Sequence, residues 1–137
     1  MYIAKLTNSS EFVRMFEYLS DVKETHMPDL GTFVIMCQKG RAYNVIVEDK
    51  IVGGLCMYET KDRIFVAFMH VNKNLRKSKC SVALYLQIVK YSQDKKKRVY
   101  TTMDDISQVK KFFTPTGMSG KDILYEIDTR RITKWVK

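Results

Sequence analysis

Hydrophobic and polar positions alternate over Tyr2–Leu6, and that period of two predicts a short first strand. The period then lengthens. Asn8, with Glu11 three residues later, forms a capping-box pattern with Asn in the Ser/Thr position. Phe12, Met15, Phe16 and Leu19 follow at i, i+3, i+4 and i+7, the stripe of an amphipathic helix. Leu30, Phe33, Val34 and Cys37 repeat the spacing. Pro28 suits a first helical position there, and Gly40 is placed to end the helix. From Ala42 the period shortens again. Ala42–Glu48, Ile51–Glu59 and Ile64–Val71 are rich in Val, Ile, Phe and Tyr and are separated by short polar turns, which predicts a three-stranded antiparallel meander. Gly53 and Gly54, inside the second of these strands, indicate a bulge or a close backbone approach.

A polar, basic connection runs from Asn72 to Lys79. Val82, Tyr85, Leu86 and Val89 then predict a helix ending near Tyr91, and Asp94–Arg98 reads as a charged turn. Val99–Met103 reads as a strand and Ile106–Phe113 as a short helix closed by Pro115. Ile123–Ile127 and Ile132–Val136 read as two final strands. A meander leading into a β–α–β unit means a mixed sheet covered by helices. No linker, low-complexity tract or repeat interrupts the chain, so one domain over residues 1–137 is expected.

Composition narrows the class. The 137 residues are 45% hydrophobic and 28% charged, the balance of a soluble globular domain, which excludes collagen-like, disordered and disulfide-miniprotein chains. No apolar run is long enough to span a membrane, and the first residues lack the pattern of a secretory signal. Cys37, Cys56 and Cys80 have no metal-site spacing. A reduced, cytoplasmic setting is therefore expected, with Cys37 and Cys56 as small core residues. The net charge of +9 favours an anionic partner: nucleic acid, a phosphate-bearing cofactor or an acidic protein.

The chemistry concentrates where the strand ending at Val71 passes into the helix near Ser81. A helix N-terminus presents N–H groups and partial positive charge to an anion, and here Lys73, Arg76, Lys77 and Lys79 precede it. At this junction the segment VNKNLRKSKCSVALYLQIVKYSQ resembles the strand, pyrophosphate loop and helix of the GNAT N-acetyltransferases. Arg76 takes the first loop position, while Lys79 and Ser81 stand where the family has small residues. VKKFFTPTGM resembles the family's last helix and the following turn, with Gly117 and Met118 at that turn. The resemblance covers roughly residues 42–127. It implies an α/β (α+β) fold with a mixed, mostly antiparallel central sheet flanked by about four helices.

The resemblance further implies acetyl-CoA, or another acyl-CoA, as cosubstrate and an amine as acceptor. The cosubstrate would lie against Met69, Val71, Arg76, Lys77, Ser78, Lys79, Cys80 and Ser81. Phe113 and Ile106 stand where the family often has a tyrosine acid and an asparagine. His70 is the candidate general base by its ordinary pKa near neutrality, and Glu59, at a strand end, is the second candidate. Asp104 and Asp105 read as a helix cap, and no metal is expected. Cys80 at a helix start would have an activated thiol, but no paired histidine supports a nucleophilic role.

Three function classes follow. The first is acyl-CoA-dependent N-acyl transfer. The second is a GNAT-fold protein without catalysis, of the compact lysine-rich kind found among bacteriophage products, including virion components. The third is a nucleic-acid-associated protein, suggested by the charge and by Lys95–Arg98, Arg130, Arg131 and Trp135. Oligomeric state carries no signal in the sequence.

Overall fold

A computed structural model of the chain describes residues 1–22, 27–75, 79–103, 112–120 and 122–135. Seven strands form one sheet in the order β1-β2-β3-β4-β5-β7-β6. β1 (Tyr2–Lys5), β2 (Gly40–Val47), β3 (Lys50–Glu59) and β4 (Arg63–Val71) pair antiparallel in succession. β4 pairs parallel with β5 (Arg98–Met103). β7 (Asp122–Ile127) and β6 (Phe113–Ser119) then continue the sheet antiparallel. The expected α+β architecture is the one observed: the sheet is mixed and mostly antiparallel, with four α-helices among the described residues.

Side chains alternate across a strand, so each strand feeds two cores. Ala42 and Cys56 pack with Phe12, Met15 and Leu19 of α1 (Ser9–Asp21) and with Phe33 and Cys37 of α2 (Leu30–Gln38). Tyr43, Val45, Leu55 and Met57 join Leu84 and Ile88 of α3 (Lys79–Lys95) and Ile132 of α4 (Thr129–Trp135) in a larger cluster on the other face. Among the described residues, no helix is long and apolar enough to cross a membrane.

Caps set the helix starts. Asn8 Oδ1 accepts the Glu11 amide at 3.0 Å, as the box pattern predicts, but the Glu11 carboxylate reaches back to the Thr7 amide and hydroxyl, each at 3.1 Å. Asp29 caps α2 by accepting the Thr32 amide at 2.7 Å, and this bond holds its carboxyl below the ordinary range. Pro28 therefore stands outside the helix and not at its first position. Gly40 does not end α2 either. It opens β2, where a Cβ would strike the Met57 carbonyl oxygen of β3.

Other differences lie in the second half. α3 runs on to Lys95, so the charged turn shrinks to Lys96 and Lys97, with Lys96 at φ 54°. Of the stripe expected to be buried there, Tyr85 and Val89 are buried, and Cys80, Ser81, Leu84, Ile88 and Tyr91 join them. The expected strand Ile132–Val136 is instead α4. Asp128 accepts the Arg130 and Arg131 amides at 3.0 and 3.1 Å and starts the helix. Most of the expected helix Ile106–Phe113 lies outside the described residues. Phe113, Pro115, Gly117 and Met118 belong to β6.

Candidate active site

β4 and β5 pair at three positions: Arg63 with Arg98, Ile64 with Val99, and Phe65 with Tyr100. Among the described residues no further pair joins them, although β4 continues to Val71 and β5 to Met103. At the fork the buried Thr101 hydroxyl donates to the Val66 carbonyl at 2.9 Å, so a side chain makes the last cross-strand link. On its other side β4 keeps its ladder to β3. The register there passes from Met57–Val66 to Cys56–Phe68, leaving Ala67 as a bulge at the fork.

The ladder fixes which peptide groups face the opening. Asn72 donates its amide to the Val52 carbonyl at 2.8 Å. Bonded positions alternate along an antiparallel pair. Phe68 and His70 therefore turn their peptide groups toward β3, while Met69 and Val71 turn theirs toward the side that β5 has left. After Val71 the chain tightens: Leu75 donates its amide to the Asn72 carbonyl at 2.8 Å and Asn74 to Asn72 Oδ1 at 3.1 Å, across a 3-10 turn at Lys73–Leu75. Arg76, Lys77 and Ser78 lie outside the described residues. α3 begins at Lys79, which is exposed. Cys80 and Ser81 are buried behind it, with Cys80 Sγ 3.3 Å from Met1 Sδ. The first turn of α3 thus sits at the same end of the sheet as Val71.

His70 is 8% exposed and lies on the α1 face of β4. Its Nδ1 is 2.9 Å from the Tyr18 hydroxyl of α1, and the two rings meet edge to face at 5.7 Å. Asn44, Gly54 and His70 form one cross-strand row through β2, β3 and β4. Gly54 contributes no side chain, and Met15 of α1 covers the gap, 3.0 Å from where a Cβ would stand. Asn44 Oδ1 is buried with no hydrogen-bond partner among the described residues. Neither Tyr18 nor Asn44 stood out in the sequence, because a single tyrosine beside an apolar stripe and a single asparagine inside a strand have no motif.

Glu59 is not brought to this site. It ends β3 opposite Ile64, at the far end of β4 from Val71. Its carboxylate accepts from Lys97 Nζ at 2.8 Å and from the Tyr91 hydroxyl at 3.1 Å, and lies 3.7 Å from Lys95 Nζ. The Lys97 bond holds its pKa below the ordinary value, and the carboxylate in turn adds to burial in raising the Tyr91 phenol. Phe113 is buried in β6 against Tyr125 of β7, with ring centroids 6.1 Å apart. Ile106, Asp104 and Asp105 lie outside the described residues.

No protein-family model matches this sequence, and no curated protein matches it. Solved structures match its three-dimensional form. Naa50 from Arabidopsis thaliana, in complex with the bisubstrate analogue CoA-Ac-MVNAL, superposes with a TM-score of 0.71 over 92% of this chain and 97% of that one, at 11% identity. The PaiA N-acetyltransferase from Thermoplasma acidophilum, in complex with coenzyme A, gives 0.64 over 93% and 99%, at 9% identity. Tetrahymena GCN5 gives 0.63 over 93% and 95%, at 18% identity. At these identities the fold is what is shared: the chain has the GNAT acetyltransferase fold. None of these three is a bacteriophage protein, and the phage origin suggested above has no support.

Proposed function

We propose that this chain is an acyl-CoA-dependent N-acyltransferase. The observation that carries the reading is the fork: β4 and β5 part after three paired positions, and Met69 and Val71 turn peptide groups into the opening. A thioester lying there would have its carbonyl polarised by N–H groups held rigid by the β3 ladder. The start of α3, at Lys79, Cys80 and Ser81, would take the diphosphate; Arg76, Lys77 and Ser78, which the sequence resemblance adds to this group, lie outside the described residues. The exposed position of Lys79 supports this role, since its ammonium can meet a phosphate from outside the turn.

An incoming amine must lose a proton as its nitrogen bonds to the thioester carbon, while the carbon–sulfur bond breaks and the coenzyme A thiolate leaves to take a proton from solvent. His70, next to Met69 and Val71 in β4, is the group assigned the amine's proton. The hydrogen bond between its Nδ1 and the Tyr18 hydroxyl orients the ring, and the neutral imidazole would be the form that takes the proton. Glu59 has no part in this step, because it lies at the other end of the sheet.

Calorimetric titration with acetyl-CoA tests binding, and thiol release on a panel of amines tests turnover. Saturable binding is expected, with His70→Gln lowering kcat about 100-fold and leaving acetyl-CoA affinity within twofold. Absence of binding at millimolar acetyl-CoA removes the proposal. Binding without turnover on any amine replaces it with a binding protein of the same fold.

A further inference from the structure

We propose that the Arg63 end of the sheet, opposite the fork, is a binding surface for single-stranded nucleic acid. Residues 38–41, 59–63 and 94–98 meet there, because α2, β3 and α3 end where β2, β4 and β5 begin. These segments carry eight Lys/Arg against three Asp/Glu, more than half of the chain's net charge of +9. The three acids are already engaged: Asp94 with Arg41 at 2.8 Å, Glu59 with Lys97 at 2.8 Å, and Asp62 near Arg63 at 4.0 Å. The surplus cations therefore face outward, Lys39, Lys61 and Lys96 among them. Lys39 also lines a cavity of about 240 Å³ with Lys5, Arg41 and Lys95. The carbonyl ends of α2 and α3 account for Lys39 and Lys95. They do not account for Lys61 in the β3–β4 turn or for Lys96 beyond the helix.

The second observation separates a single strand from other polyanions. Tyr58, Phe65 and Tyr100 are register partners on β3, β4 and β5 and share one face. Their ring centroids are 5.5 and 6.3 Å apart, and the Arg63 guanidinium lies 4.6 Å from the Tyr100 centroid. All three rings are partly exposed, and none belongs to either buried cluster. A row of aromatic rings edged by cations suits bases that are free to stack while phosphates meet lysine and arginine. A duplex keeps its base faces inside the helix, and polyglutamate has no aromatic ring to stack on the row.

Fluorescence anisotropy with labelled (dT)15 tests the proposal on the intact chain, alongside a 15-base-pair duplex and polyglutamate as competitors. Binding is expected at 50 mM salt, with a log K against log salt slope of about −2 to −4 for the few phosphates contacted. Lys61→Glu with Lys96→Glu should weaken it tenfold or more, and Lys50→Glu at the other end of the sheet less than twofold. Tyr100→Leu should weaken it about fivefold without changing the salt slope, and Tyr58→Leu repeats the test at a second ring. Any one of three results overturns the proposal: no binding at 50 mM salt, equal loss from Lys50→Glu, or duplex or polyglutamate competing as well as (dT)15 itself. None of these readings depends on acyl transfer.

Discussion

Gly40 and Gly54 both stand in strands, and a methyl group at either would meet a neighbour. At Gly40 the neighbour is the Met57 backbone carbonyl, which cannot move without parting β2 from β3. At Gly54 it is the tip of the Met15 side chain, 3.0 Å away, and methionine has the rotamers to yield. Gly40→Ala should therefore cost about 3 kcal/mol in urea unfolding, and Gly54→Ala about 1 kcal/mol or less. Equal costs would show that backbone contact is not what separates the two sites. Sequence spacing alone makes Gly40 a helix terminator, because a glycine after an apolar stripe fits that role locally. The close approach that requires it is made by a strand 17 residues further on. His70 shows the same division: its chemistry is legible from its type, while its bond to Tyr18 joins residues 52 apart.

The elements most faithful to the pattern are α1 and the β2–β4 meander, where periodicity and local turn chemistry agree. Glu48 and Asp49 adopt positive φ in the β2–β3 turn, as a tight two-residue hairpin requires. The segment of α4 reads as a strand, Ile132–Val136, for the opposite reason. Seven residues carry too little period to announce a helix, although Ile132 and Trp135, three apart, share a face only in one. The deciding group is Asp128, which caps the helix and leaves Trp135 packed edge to face against Tyr85 and Phe112, at 5.9 and 5.2 Å. Burial in this cluster pushes the Tyr85 phenol up to about 12. Asp128→Ala should cost about 1 kcal/mol in denaturant unfolding and change tryptophan fluorescence. An unchanged midpoint would mean that aromatic packing alone holds α4.

Across the whole molecule, the Glu59 carboxylate ties the end of β3 to the last turn of α3 and to the entry of β5 through Tyr91, Lys95 and Lys97. Its folded-state pKa is depressed, chiefly by the Lys97 bond. Such a group stabilises the fold above its unfolded pKa, and that contribution is lost as pH falls through the lower folded value. Glu59→Gln should lower stability by about 1 kcal/mol at pH 7, a modest figure because the pair is partly exposed. The gap to the parent should close progressively below pH 4 in urea titrations. A gap that persists there would assign the effect to shape and not to ionisation. Sequence reading offers Glu59 as a second candidate base after His70, because it stands at a strand end. Antiparallel pairing sends the ends of consecutive strands to opposite edges of the sheet, and only the topology shows it.

The fork at Val66 also bears on inheritance. Beyond it β4 extends five residues, about 16 Å, as a bare wall of main chain. Every residue but proline offers the same N–H and C=O, so such a wall places little demand on the letters that build it. Two chains can therefore agree at only one residue in nine and still share the fold.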